Sequence, residues 1–467
     1  MVTALQPKTP HTIKIEFADE PVTSFGGLVL AERIAARLGL WRTLEGILPQ
    51  RRGRFSWLTG IKSMVMGLLS GAQGTWAAQA LRQDAALLAM LSLPGAPEEA
   101  TAWRMLGPLG ELAPNASLGR VHEIAARRVL DKLPRKELLL EGFVPVFADG
   151  TLLEGSGKRE GTKYIREKGS GLMWSTVFVG PVPCAQRLAG PGEGEQTCVR
   201  ALLGEVDRAV LKPLKLHGQA LVMMDSLHGD DPTLKQLEAA RLHYLVGANK
   251  LAKTEETLTN LPEAVWEDTG ARAGLGWAAS GACVCWLQCD DWAAKRLLVG
   301  RRFRREGELF WNYAGVLTDL RERDAAPMLA RGLSFARAIW RLYDAKAGME
   351  TFFKDGLSDL GLHHPPCREH ARNAGFYAVG ALAWLLGVAV DVLGGAGAGR
   401  GATARQDGGE RARATPRRMR LWRLRRELFA LPGRVARHAR ELTVRLLGAG
   451  EATRQLFERY WGNLSRC

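Results

Sequence analysis

Two apolar runs in this chain end the same way. VPVFA (144–148) leads into Asp149, and ALVMM (220–224) leads into Asp225. Short, continuous apolar runs suit strands buried on both faces of a sheet. A carboxylate closing each run then stands at one edge of that sheet, and two strands of one sheet can set both carboxylates side by side. The pair leaves two readings open: ligands for a metal ion, or acidic turn starts of the ordinary kind.

The surrounding pattern sets the fold class. Apolar runs at 143–148, 172–180 and around 184–189 read as three strands, with Pro145 a weak point in the first. Residues 195–211 carry helical spacing, and 220–226 is a fourth strand. Asp231-Pro232 opens a further helix, acid at the cap and proline in the first turn, before a fifth strand at 244–249. Strand, strand, strand, helix, strand, helix, strand is the order of a ribonuclease-H-like α/β core.

Before this core, residues 25 to about 135 repeat apolar side chains at three- and four-residue spacing, which predicts helices. WAAQALRQDAALLAML and EEATAWRML, split by LSLPGAP, suit either a DNA-reading helix pair or an ordinary helical bundle. Residues 255–321 alternate and are rich in Gly, Trp and Val, which predicts a strand-rich insertion. Helical period returns from Ser334. The uncharged run 374–390 is 17 residues long, at the lower edge of what spans a bilayer, and reads better as a buried core helix. A Gly/Ala-rich linker begins at Gly394, with no phosphate-loop register in it. The predicted organisation is a helical N-terminal, DNA-binding region (1–135), the core in two parts (136–254 and 326–393), the insertion (255–325), and the linker with an Arg-rich helical tail (394–467).

Charge adds a partner class. The formal net charge is +15, and residues 400–467 hold 17 arginines against 6 acids. Such a surplus points to a polyanion, and an amphipathic interaction or membrane-surface helix is the other use of RMRLWRLRREL. The seven cysteines are irregularly spaced, which predicts a reducing compartment without a disulfide framework. Cys283 and Cys285 share one face of a predicted strand and read as packing. The first residues carry no apolar stretch, so no signal peptide is expected.

The chemistry narrows by elimination. A phosphatase of the Asp-x-Asp-Gly-Thr type needs a nucleophilic Asp two residues before Asp149, where Phe147 stands. Ser226 and His228 follow Asp225 without a nucleophile-elbow motif, so a hydrolase triad is not supported. His363, His364, Cys367 and His370 read as a polar turn before they read as a metal site. Glu350 lies on a helical stripe with Tyr343, Lys346 and Lys354, about 100° round from the apolar stripe. That stripe is either a third carboxylate flanked by cations or a solvated face with ordinary helix ion pairs.

Taken together these segments resemble the Asp-Asp-Glu insertion-sequence transposases that carry a Tyr-Arg-Glu-Lys signature. Asp149-Gly150-Thr151 matches the first-Asp motif, and MMDS with Asp225 matches the second. Tyr-x2-Arg-x3-Glu-x6-Lys falls on Tyr343, Lys346, Glu350 and Leu357. NAGFYAVGALAWLLGV resembles the helix after the Glu segment, and the likeness runs from about residue 15 to about 395. Two positions depart: Lys346 stands for Arg, which loses bidentate geometry, and Leu357 stands for Lys.

The resemblance implies that Asp149, Asp225 and Glu350 are the catalytic residues and hold two Mg²⁺ ions, with Mn²⁺ as a substitute. It implies cleavage of double-stranded DNA at the element's ends and strand transfer into target DNA, by a dimer on the DNA and without a membrane. Tyr343, Lys346 and Lys354 would touch DNA, joined by Arg417, Arg418, Arg420, Arg423, Arg425 and Arg426 of the tail. A cytoplasmic, nucleoid-associated bacterial location is expected. The departures at 346 and 357 keep two alternatives in view: a DNA-binding relic that no longer cuts, and a ribonuclease-H-like nuclease that cuts without joining.

Overall fold

A computed structural model describes residues 20–155, 158–165, 169–249, 251–395, 418–438 and 441–466, with backbone alone at 112, 273, 349–351 and 438. Its strands, in chain order, are β1 (Val22–Thr23), β2 (Val144–Glu154), β3 (Lys163–Ile165), β4 (Gly169–Val179), β5 (Val182–Leu188), β6 (Ala220–Met224) and β7 (His243–Gly247). They continue with β8 (Glu267–Asp268), β9 (Trp277–Leu287), β10 (Arg296–Arg305), β11 (Asn312–Thr318), β12 (Gly433–His438) and β13 (Glu441–Leu446).

Among the described residues, ten of these strands form one mixed sheet. Its path is β3-β4-β2-β6-β7-β11-β10-β9-β8, and β5 pairs with β4. β2, β6 and β7 run parallel, β4 and β5 antiparallel to their neighbours. Where the parallel strands pair they are buried: all of β6, Val144–Ala148 of β2 and Tyr244–Gly247 of β7, as their apolar runs require. Pro145 is accommodated near the start of β2, where its carbonyl accepts from Gly180 N at 2.8 Å. The strand-rich insertion stays within the sheet: β11 pairs antiparallel with β7, so β8–β11 extend it.

The apolar run near the C-terminal side of the core is the helix His370–Gly394, long and apolar enough to cross a membrane but with 94% of its apolar window buried. Trp384 on this helix packs on Phe178 and Trp174 of β4. The N-terminal helices wrap its other faces. Gly110 and Gly375 let two helices touch backbone to backbone, since a Cβ on Gly110 would sit 1.5 Å from the Ala371 carbonyl oxygen.

Two predicted elements differ. The helix expected through WAAQALRQDAALLAML is broken into a 3₁₀ stretch, Gly74–Leu81, and a short helix, Ala85–Met90. Asp84 restarts it as a cap: its Oδ1 accepts from Leu87 N at 2.7 Å, and Thr23 donates to its Oδ2. The Arg-rich end is helical only in part. After a helical stretch at 421–429 come β12 and β13, an antiparallel pair with β1 added to its edge, and then the helix Glu451–Arg466. Residues 396–417, with most of the predicted linker, lie outside the described residues.

Candidate metal centre

Strand register brings the first two carboxylates level. β2 and β6 are parallel neighbours with Phe147 opposite Met223, so Asp149 and Asp225, two residues further on in each chain segment, reach the same end of the sheet. Each carboxylate is braced locally. Asp149 Oδ1 accepts from Gly150 N at 2.9 Å. Asp225 Oδ1 accepts from Leu227 N at 2.9 Å and caps the short turn Ser226–His228. That turn folds His228 back until its Nε2 is 3.9 Å from Asp225 Oδ1.

Two further side chains complete the group, and the sequence reading gave neither a part in it. Glu195 is the first residue of the helix Glu195–Val206, which follows β5, and its carboxylate is nearly buried. Gln196 beside it donates to the Leu227 carbonyl at 3.3 Å, tying this helix start to the Ser226–His228 turn. One ligand atom each from Asp149, Glu195 and His228 lies within 4.8 Å of the others, the one such cluster among the described residues. The signal for Glu195 was there, as an acid opening the helix after the third strand. A sequence alone reads that as helix-dipole chemistry.

Gly150 makes room for this acid. A Cβ at that position would stand 2.6 Å from Glu195 Cδ and Oε1. The glycine of the Asp-Gly-Thr motif is therefore a packing requirement of the cluster.

The electrostatics leave the site short of positive charge. Burial is the main cause raising the Asp149 pKa. Lys346 opposes it, with Nζ 3.7 Å from Asp149 Oδ2, while Asp225 and Glu195 raise it further. His228 is wholly buried, yet among the described residues neither ring nitrogen has a hydrogen-bond partner. An unpartnered buried polar group costs about 1–3 kcal/mol. Carboxylate oxygens with one imidazole are a donor set that fits a divalent cation.

Tyr343, from the helix Phe335–Asp344, closes the floor. Its hydroxyl donates to the Met224 carbonyl at 3.0 Å, and burial pushes its pKa up. A Cβ at Gly247 would meet that hydroxyl at 2.8 Å, so β7 also gives way to it. Glu350 opens the helix Glu350–Lys354, one turn beyond Lys346. Its side chain lies outside the described residues.

A family model described as "Transposase DDE domain" matches residues 146–386, more than half of the chain. The chain belongs to the DDE transposase family. Among solved structures it is similar to a piggyBac transposase synaptic complex with hairpin DNA, seen by cryo-EM. That likeness has 12% sequence identity, covers 79% of this chain and 76% of that one, and has a TM-score of 0.36, too low to establish a shared fold. A comparison with curated proteins gives no match.

Within this DDE transposase the predicted DNA contacts divide. Lys354 is exposed at the end of the Glu350–Lys354 helix, and Arg426 is exposed in the tail. Arg423 is exposed too, paired with Glu427 at 2.7 Å. Arg418 is corrected from a DNA contact to an internal one: its side chain is buried, ion-paired with Asp355 and donating to the Pro181 carbonyl. Arg425 likewise turns inward, donating to the carbonyls of Leu68, Leu69 and Asp359. Arg420 pairs with Asp359. Arg417 lies outside the described residues. Arg418 and Arg420 answer the buried acids Asp355 and Asp359, which require cations, whereas Arg425 satisfies backbone carbonyls. The histidines 363 and 370 spend a ring nitrogen on backbone, bonding Leu357 O and Ala189 O, which agrees with a polar turn.

Proposed function

We propose that this DDE transposase belongs to an insertion sequence, cuts double-stranded DNA at the element's ends and transfers the freed strands into target DNA. One observation carries the reading: parallel neighbours β2 and β6 deliver Asp149 and Asp225 level at one sheet end, with Lys346 beside Asp149. The order β5-β4-β2-β6-β7, with its two parallel pairs, supports a ribonuclease-H-like core.

In this reading Asp149, Asp225 and Glu350 hold the cations, Mg²⁺ or Mn²⁺. Bound there, such ions supply a nucleophilic oxygen at neutral pH and stabilise the attacking and leaving oxygens of an in-line displacement. The chain's own residues do the positioning. The Asp225 turn and the Tyr343 hydroxyl fix the end of β6. Lys346 offsets the carboxylates before cations arrive and then serves a DNA phosphate as a point charge. Exposed Lys354 and Arg426 contact the backbone, a salt-sensitive interaction. A dimer on DNA in the bacterial nucleoid is the working assembly.

Leu357 favours a second reading. It packs against the core where the family signature has a Lys, as a relic that binds DNA without cutting it would allow. The test uses the gene's own flanking DNA as labelled donor and a plasmid as target, with Mg²⁺ or Mn²⁺ against EDTA. Covalent donor–target product that needs the metal is expected. Cuts without joining would instead make the chain a nuclease, and binding with no cuts a relic.

A further inference from the structure

The third carboxylate of the family signature is not the only candidate to complete the Asp149 site. Glu195 and His228 already flank Asp149, from two other elements. His228 is fully buried, among the described residues it has no hydrogen bond at either nitrogen, and its Nε2 stands 3.5 Å from Glu195 Oε1. Among the described residues Glu195 pairs with this histidine and with no lysine or arginine. The three ligand atoms lie within 4.8 Å of one another.

Three features hold this geometry in place. Gly150 leaves space for the Glu195 carboxylate as it lies here, since a Cβ would stand 2.6 Å from its Cδ and Oε1 and displace it. The Asp225 cap folds the 226–228 turn so that the imidazole faces the acids. Gln196 fastens the start of the Glu195 helix to that turn. A chain that needed His228 only as filler would gain nothing by burying two unsatisfied nitrogens beside two acids.

We propose that Glu195 and His228 are ligands, with Asp149, of a divalent cation, and that the imidazole biases this position towards Mn²⁺ over Mg²⁺. This rests on the metal-site reading of Asp149 given above. Oxygen-only sites suit Mg²⁺, whereas an imidazole nitrogen favours the later first-row cations.

The test is Mn²⁺ binding to the full chain without DNA, followed by the EPR signal of free Mn²⁺, with Mg²⁺ as competitor. The proteins are wild type, Asp149→Asn, Glu195→Gln and His228→Asn, each first checked by thermal melting. Glu195→Asp, which withdraws the carboxylate by one methylene, replaces Glu195→Gln if that variant does not fold. Asp149→Asn and the Glu195 variant should each weaken Mn²⁺ binding at least about tenfold, and His228→Asn should lower the Mn²⁺ to Mg²⁺ preference by about tenfold. If Asp149→Asn weakens binding while the Glu195 and His228 variants match wild type, Asp149 keeps its metal and this ligand assignment is wrong. If all four proteins bind alike, the underlying metal reading fails and the assignment fails with it.

Discussion

Asp355 and Asp359 lie just past the Glu350–Lys354 helix, and Asp149 and Glu195 lie at the sheet end. All four are carboxylates taken largely out of water, but they meet different neighbours. Asp355 faces Arg418 and Arg420 and accepts from Leu421 N, while Asp359 accepts from Arg420 and from Trp422 N. Asp149 has one lysine at 3.7 Å, and Glu195 has a histidine that makes no hydrogen bond. The first pair is neutralised by the chain itself and so is architecture. Among the described residues the second pair meets one lysine and one histidine, the smaller cationic complement that the proposed cation site calls for.

The contrast can be broken by removing one partner on each side. Arg418→Ala should strand Asp355 as an uncompensated buried charge and cost about 3–5 kcal/mol in denaturant unfolding. Asp149→Asn, in metal-free protein, should go the other way. Burial already favours the protonated form of Asp149, so a neutral amide should leave stability unchanged or raise it by about 1 kcal/mol. Equal losses in both variants would erase the distinction between architecture and site.

A third buried acid sharpens it with pH. Glu123, on the helix Leu112–Lys132, has its pKa pushed up to about 7 by burial and by Glu205, against Arg208 and Arg120. A carboxyl raised in the folded state lends stability that is full below its ordinary value near 4.5 and is lost as pH rises through about 7. Glu123→Gln should therefore stabilise the protein at pH 8 by about 1–2 kcal/mol, with a smaller gain at pH 5, read from thermal melts at the two values. A small loss is expected at Tyr343→Phe, which gives up the hydrogen bond to Met224 for about 1 kcal/mol while keeping the ring on Trp340.

What was legible in the sequence followed from local periodicity. The run predicted as a strand over 172–180 is β4, Gly169–Val179, and the alternating insertion is β8–β11. Asp149 and Asp225 could be named because an apolar run and its terminal acid are contiguous. Glu195 could not, because its place in the site depends on Gly150, 45 residues earlier, and on a turn 31 residues later that Gln196 grips. The tail misled for the same reason. Its arginines look like a DNA-binding stripe until Asp355, Asp359 and Asp391 are seen to hold this segment, the last through Met419 N and the Tyr460 hydroxyl. Charge in a sequence has a sign but no address.

The most direct measurement is cleavage and binding of the flanking DNA by wild type, Asp149→Asn, Asp225→Asn and Glu350→Gln, each with Mn²⁺ and with EDTA. Discrete metal-dependent cuts by wild type, lost in all three variants while gel-shift affinity is retained, are the predicted result. Cutting that survives in any one variant would contradict the assignment of that carboxylate, and survival in Asp149→Asn would contradict the site itself.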